Sequence, residues 1–293
     1  MEQVPFDKRT GKIWFNDKLI DWSDAKVHVL NHGLHYASCV FEGERVYDGT
    51  IFKLAEHTDR LFYSAKRLGI TIPYKAEYIN EACNLIVSTQ KVKNGYVRPF
   101  VWRGSEMMAV SAQNTSTHVA IATWEWGKYF DPKLLLKGIR LNISNWRRPN
   151  PNSVPWDAKA AGLYMICTLS KHEAERHGYT DSLMLDHDDN IAEATGANIF
   201  FKDKEGSLHT PIPDSFLNGI TRRSVIDLAK SKGIKVVERK IKTQEMSNFV
   251  GCFLTGTAAE VTPVSEIEKY KFSVCDVIKN LSESYQALVR NKL

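Results

Sequence analysis

Two turns near the N-terminus constrain the fold most. In KIWFNDKLIDW the pair Asn16-Asp17 separates two apolar-rich runs, and in CVFEGERVYDGTIFKL the pair Asp48-Gly49 does the same. Asn, Asp and Gly tolerate the left-handed backbone that a two-residue hairpin turn demands, so both stretches read as antiparallel strand pairs. Helical spacing comes after them. Leu61, Ala65 and Leu68 line one face before Gly69, and Ile79, Cys83 and Ile86 line another before Gly95. Apolar strand candidates at residues 96–102 and 118–124 complete a first unit. Its strands and helices are not in strict βαβ alternation, which favours an α+β fold over a doubly wound parallel sheet.

At 293 residues the chain has room for about two domains. The pattern pauses over residues 129–138, which sets an expected small N-terminal domain at 1–128, a linker at 129–138 and a larger C-terminal domain at 139–293. The second half opens with alternating Ile139, Leu141 and Ile143. Pro149, Pro151 and Pro155 then restrict the loop RRPNPNSVPWDAK, which delivers Lys159 to the start of an expected helix ending at Gly178. Strand candidates follow at residues 182–185, 191–193 and 198–201. A helix is expected from residues 219–221 to Gly233, then the strand GIKVVER and a strand at 252–254 running into TGTAAE. Val274, Val277, Ile278, Leu281, Tyr285 and Leu288 form one stripe of a last helix, a packing face.

Composition narrows the function classes. Lysine and arginine total 39 against 34 acidic residues, a net +5 spread along the chain, too mild and dispersed for a nucleic-acid footprint. No apolar run reaches the ~20 residues of a membrane span, and MEQVPFDKRTG is too polar for a signal peptide, so a cytoplasmic protein is expected. Five cysteines without close pairing point to reduced thiols. KHEAERH superficially matches a zinc motif, but His172 and His177 stand on different faces of a helix; His28, His32 and His35 lack a carboxylate or cysteine to complete a set. No metal is expected, and no nucleotide-loop glycine motif is present.

The chemistry gathers around Lys159, in SVPWDAKAAGLYM. A lysine that forms a Schiff base must lose its proton, and moving an amine from about 10.4 to near 7 takes roughly 4 kcal/mol of burial and charge repulsion. Its neighbours Ala160, Ala161 and Gly162 are small, as if a flat partner approached the backbone. If that partner were pyridoxal phosphate, an acid would hold the ring nitrogen's proton and donors would hold the phosphate. Glu193, in NIAEATGANIF, is a candidate acid, and otherwise a solvent-facing strand residue. Ile220 and Thr221 at a helix start, Thr257 in a glycine-containing turn and Arg60 are candidate phosphate donors. Each also has a plain structural reading as a cap, a turn or an exposed arginine.

Taken in order, WFNDKLIDWSDAKVHVLNHGLHYASCVFEGERVYDG, EHTDRLFYSAKRL, YVRPFVWRG, the lysine loop, EATGANIFF, LNGITRRSV and FLTGTAAEVTPV resemble the class IV pyridoxal-phosphate aminotransferases, and among them the branched-chain amino acid aminotransferases. The resemblance spans nearly the whole chain. It implies fold type IV, an α+β (mixed α/β) fold of two domains with the cofactor at their interface, and a homodimer or higher homo-oligomer, up to a hexamer, with shared active sites. It further implies that Lys159 carries the cofactor and moves the proton at the substrate Cα, that Glu193 pairs with the pyridinium nitrogen, that Tyr164 bonds the phenolic oxygen and that Leu217 packs on the ring. Arg60, Ile220, Thr221 and Thr257 would bind the phosphate. Phe41, Gly43, Tyr96, Trp126 and Tyr129, with Tyr36 from the partner subunit, would form a pocket for leucine, isoleucine and valine. Arg98 would meet the side-chain carboxylate of glutamate, while Thr257 and Ala258 would take the α-carboxylate. The implied reaction is ping-pong transamination with 2-oxoglutarate.

Glu44 replaces the apolar residue usual in that family, Trp102-Arg103 is an uncommon pair, and GSEMMAV, with Met107 and Ala109, replaces a glycine-rich loop; these departures bear on the pocket's size. D-amino acid and (R)-amine transaminases and aminodeoxychorismate lyases share Lys159 and Glu193 with the implied enzyme, and a non-catalytic binding relative is a further reading. Tyr36, Phe41, Tyr96 and Arg98 together favour the branched-chain one.

Overall fold

A computed structural model describes residues 4–127, 129–130 and 136–292. Residues 131–135 of the expected linker lie outside the described residues, as do residues 1–3 and 128 of the expected first domain and residue 293 of the second. By its contacts the chain divides into two compact units, Met1–Gly127 with Ala158–Gly162, and Lys128–Asp157 with Leu163–Leu293.

In the first unit both expected hairpins form. Strands β1 (Lys12–Phe15) and β2 (Lys18–Asp21) meet at Asn16 and Asp17, whose φ values are 46° and 68°. Strands β4 (Glu44–Tyr47) and β5 (Thr50–Ile51) meet at Asp48 and Gly49, φ 51° and 87°. Positive φ at both central positions gives the turn the twist that antiparallel strands need. With β3 (Cys39–Phe41), β6 (Gly95–Arg103) and β7 (Thr117–Glu125) these make a seven-stranded sheet of order β2-β1-β7-β6-β4-β5, with β3 also paired to β6. One face buries Ile13, Trp22, Trp102, Ala120 and Ala122. The alternate residues Val97, Val101 and Ile121 are fully buried on the other, as are Leu61 of helix α2 (Leu54–Arg67) and Ile79 and Ile86 of α3 (Ala76–Thr89), the latter helix packing on β1, β6 and β7. Each such side chain stabilises the fold by about 1.5–3 kcal/mol. Gly69, at φ 63°, ends α2 in the left-handed conformation that lets Ile70 N–H close onto Ala65 O. A short helix α1 (His32–Tyr36) precedes β3.

The second unit carries a nine-stranded sheet: β8 (Ile139–Arg147), β9 (Asp181–Leu185), β10 (Ile191–Ala194), β11 (Asn198–Asp203), β12 (Leu208–Thr210), β13 (Val236–Glu238), β14 (Phe249–Gly256), β15 (Glu260–Ile267) and β16 (Tyr270–Lys271). Its order is β10-β9-β8-β15-β14-β11-β12-β13, and β10 pairs with β11 as well, so six strands close on themselves. Leu141, Leu183, Ile199, Leu254 and Val264 fill the core of this closed sheet. Helices α4 (Met165–Arg176), α5 (Ile220–Ser231) and α6 (Asp276–Leu288) belong to the same unit, and Ile278, Leu281 and Tyr285 of α6 are buried.

Two expectations change. Lys159 does not open a helix: Ala160 forms an extended bridge to Val40, and regular α-helix begins only at Met165. The lysine was also expected in the C-terminal domain, whereas Ala158–Gly162 groups with the first unit. Three contacts draw it there. Phe41 N–H donates to Lys159 O at 3.1 Å, Lys159 N–H donates to Ser64 Oγ at 2.9 Å, and Val40 pairs with Ala160.

Candidate active site

Lys159 is held at both its own N–H and its own C=O, by the Ser64 hydroxyl and the Phe41 N–H, so its side chain has a defined origin. Nζ lies 4.9 Å from the centre of the Phe41 ring. The Arg98 guanidinium stands 4.8 Å from the same ring and 5.4 Å from the ring of Tyr96. Burial, and then the charges of Arg60 and Arg98, push the Lys159 ammonium down to about 8, against the pull of Glu42. Desolvation disfavours the charged amine, so about a tenth of Lys159 is a neutral nucleophile at pH 7, far more than for an ordinary lysine. The small residues beside it have a packing reason too: Ala160 is buried at the Val40 bridge, and a Cβ on Gly162 would press on Ala37.

Beneath this lysine lies an acid that sequence reasoning missed. Glu42 is fully buried and accepts four hydrogen bonds. Arg60 donates from Nε at 2.6 Å and from a terminal nitrogen at 2.9 Å, His57 Nδ1 at 2.7 Å and Gly43 N–H at 3.2 Å. The paired guanidinium and imidazole hold the Glu42 carboxyl well below the ordinary carboxylate range despite its burial. Burial in turn pushes His57 down, so the neutral ring donates its Nδ1 proton to Glu42. Thus Arg60, expected on a phosphate, is gripped by a carboxylate through two of its nitrogens. The FEG segment carried the available signal: an acid between Phe41 and Gly43 in an otherwise apolar strand region needs a buried partner.

Tyr96 packs edge-on against Trp126 at 4.9 Å, and a Cβ on Gly43 would overlap the Tyr96 hydroxyl. Phe41, Gly43, Tyr96, Arg98 and Trp126 therefore sit in the same unit as Lys159. Tyr36, in the same unit, is 45% exposed on α1 and stacked on His32.

The second unit presents Glu193 on β10 directly opposite Asn198 on β11. Asn198 Nδ2 donates to Glu193 Oε2 at 3.1 Å and to Leu217 O at 2.9 Å, and its Oδ1 accepts from Gly219 N–H at 3.1 Å. One amide thus ties the acid to the LNG loop at the start of α5. A Cβ on Gly219 would overlap that amide, which is why the loop uses glycine there. Arg148, itself buried, stands with Nε 3.6 Å from Glu193 Oε1, an opposite charge beside the carboxylate. Glu193 is only 9% exposed, so the solvent-facing alternative for it is overturned. Asn198 and Arg148 were also missed; a buried asparagine in the apolar run ANIFF was the legible clue.

Helix α5 begins at Ile220 with no side-chain cap on Gly219, so the Ile220 and Thr221 N–H groups belong to the uncapped first turn that favours an anion. Thr257 and Ala258 lie in the tight turn joining β14 to β15, closed by the Gly256–Glu260 pair. Tyr164 immediately precedes α4, and Tyr129, 45% exposed, packs edge-on against Phe130 at 4.7 Å.

These arrangements have counterparts in known proteins. The model of the amino-transferase class IV family matches residues 39–267. The chain belongs to the class IV aminotransferases. It is 41% identical to a probable branched-chain-amino-acid aminotransferase of Rickettsia felis, over 99% of this chain and 100% of that one. It is likewise 41% identical to the branched-chain-amino-acid aminotransferase of Pseudomonas aeruginosa, over 97% and 94%. Among solved structures, the branched-chain aminotransferase of the thermophilic archaeon Thermoproteus uzoniensis with norvaline superposes with a TM-score of 0.92 at 33% identity, covering 97% of this chain and 96% of that chain.

As a class IV aminotransferase the chain has residues that suit the family's cofactor. Lys159 is a half-buried lysine whose amine is brought down to about 8, which suits Schiff-base chemistry. Glu193 is a buried acid with its orientation fixed by Asn198, which suits a protonated ring nitrogen. The uncapped start of α5 suits a phosphate.

Proposed function

We propose that this enzyme transfers the amino group between L-leucine, L-isoleucine or L-valine and 2-oxoglutarate, using pyridoxal 5'-phosphate and acting in the cytoplasm. Lys159, a half-buried lysine with its proton loosened and set over Phe41 beside Arg98 and Tyr96, is the observation that carries the reading. When bound, pyridoxal phosphate supplies an electrophilic carbon and a ring that delocalises the electron pair left on the substrate Cα.

The residues of the chain divide the remaining work. Lys159 would hold the cofactor through its amine, and the same amine, when free, would move the proton at the substrate Cα. Glu193 holds the proton at the ring nitrogen, with Asn198 and Arg148 fixing its direction. Tyr164 would bind the phenolic oxygen, and Leu217 would pack on the ring. Ile220, Thr221, Thr257 and Arg60 hold the phosphate, Arg60 doing so while oriented by Glu42. Phe41, Gly43, Tyr96, Trp126 and Tyr129 shape an aliphatic pocket, where each buried CH₂ is worth about 0.8 kcal/mol. Arg98, held over two aromatic faces, receives the side-chain carboxylate of glutamate. Thr257 and Ala258 take the α-carboxylate. One bound cofactor serves both half-reactions, so the kinetics are ping-pong.

We take the two units as a small N-terminal and a larger C-terminal domain. We also propose a homodimer in which Tyr36 serves the partner's pocket. Val29, Leu34 and Tyr36 are 66%, 69% and 45% exposed, an apolar surface beyond what an isolated subunit needs. Among the described residues no helix is long and apolar enough to cross a membrane, and all five cysteines are free thiols, as a reducing compartment would keep them. Lys159→Ala tests the assignment. The variant is expected to lose covalently held cofactor and nearly all turnover, whereas sustained multiple turnover would exclude the lysine's role.

A further inference from the structure

Glu44 is the first residue of β4 and is fully buried. Neither of its carboxylate oxygens meets a hydrogen-bond partner among the described residues. Its register partner on β6 is the apolar Val97, which places it on the side of the sheet where α3 packs. The titratable groups around it come from three directions. Cys83 stands on α3, Arg60 and His57 on α2, and Glu42 lies two residues before it in the chain; Ile51 of β5, beyond Val46, adds no charge. The donors near it are engaged by its neighbour, because Glu42 takes two nitrogens of the Arg60 guanidinium and the Nδ1 proton of the neutral His57. A charged carboxylate without donors is strongly disfavoured in such a place, and a second negative charge beside Glu42 more so.

We propose that Glu44 is a positioning acid for the Lys159 site: carried as the neutral carboxylic acid, it leaves Glu42 the single anion that fixes Arg60 and His57, and on ionising it would compete for Arg60 and disturb the charges around the lysine. The proposal rests on the reading of Lys159 as the cofactor's lysine only for its last step. Burial and then the charge of Glu42 push the Glu44 carboxyl well above its usual range, with Arg60 pulling the other way. The Cys83 thiol is raised by the same burial and by Glu44. Two carboxylates two positions apart thus occupy opposite protonation states, set by which of them owns the donors.

The test compares wild type with Glu44→Gln and Glu44→Leu, the latter because it leaves no buried amide to satisfy. In the holoenzyme at neutral pH, the infrared difference between wild type and either variant should contain the C=O stretch of a protonated carboxylic acid. Stability supplies a second readout. The folded protein keeps the Glu44 proton above the ordinary carboxylate range while the unfolded chain loses it. Wild type is therefore unpenalised at acid pH and loses stability relative to the variants as pH rises, tenfold in the folding equilibrium, or about 1.4 kcal/mol, per pH unit until the folded carboxyl itself titrates. The melting-temperature gap between Glu44→Leu and wild type should widen accordingly. In the apoprotein, the rate at which Lys159 captures pyridoxal phosphate should show, besides the inflection of the lysine itself at about 8, a second inflection at higher pH in wild type that both variants lack. Absence of the acid band, a gap constant with pH, or identical capture profiles in all three proteins would overturn the proposal. A protein with the band and the widening gap but no transamination would support the buried neutral acid and count against the aminotransferase reading alone.

Discussion

At the scale of single residues, the site depends on which buried groups carry charge. Lys159 titrates at about 8, so capture of pyridoxal phosphate by the apoprotein should accelerate up to tenfold per pH unit below that value and level off above it. Stopped-flow absorbance across about pH 6 to 9 measures this; a rate still climbing at about pH 10 would show an ordinary solvated lysine. Glu42→Gln removes the anion that grips Arg60 and supports the lysine's charge. It should cost about 3–5 kcal/mol of stability in denaturant unfolding, since it leaves a mostly buried guanidinium without its counter-ion, and should move the Lys159 inflection below about 8. The acid side follows with a definite sign. Glu42 is held below its unfolded value, so its contribution is present above the ordinary carboxylate range and fades as pH falls through and below it. Glu42→Gln should flatten that acid limb of the stability profile.

At the scale of elements, β10 and β11 exist as a pair that hands Glu193 to Asn198, and Asn198 hands its remaining groups to the loop that starts α5. Asn198→Ala breaks all three links and leaves the Gly219 N–H without its acceptor. It should cost about 1–3 kcal/mol and weaken retention of pyridoxal phosphate roughly tenfold, read by dialysis of the holoenzyme. Unchanged retention would mean that the strand pair alone positions the acid. Local chemistry made the two hairpins legible, because Asn16-Asp17 and Asp48-Gly49 need positive φ wherever they sit. The amphipathic stripes of α2 and α3 were legible for the same kind of reason. What depends on distant partners was not. The Lys159 segment looked like a helix start because nothing nearby in sequence reveals Val40 or Ser64, and β15 stayed hidden because Pro263 and Ser265 spoil its alternation while β14 and β8 supply its pairing. Lys159 stood out by its small neighbours and Glu193 by the order of motifs, whereas Glu42, which grips Arg60, and Arg148 and Asn198, which flank Glu193, are recognised only through their contacts.

At the scale of the whole molecule, the first unit holds Lys159 with Phe41, Tyr96 and Trp126, and the second holds Glu193 and the uncapped start of α5. The apolar surface exposed around α1 is where the proposed homodimer is tested. Leu34→Asp should convert a dimer to a monomer in sedimentation velocity while leaving the circular dichroism spectrum unaltered; a wild-type protein that sediments as a monomer would remove Tyr36 from the pocket. The central claim concerns what the assembled enzyme accepts, and amino-donor profiling of the purified holoenzyme tests it most directly. With 2-oxoglutarate as acceptor, L-leucine, L-isoleucine and L-valine should give far higher kcat/KM than D-alanine or an (R)-amine, and Lys159→Ala should abolish all of them. Faster turnover of D-alanine than of L-leucine would contradict it.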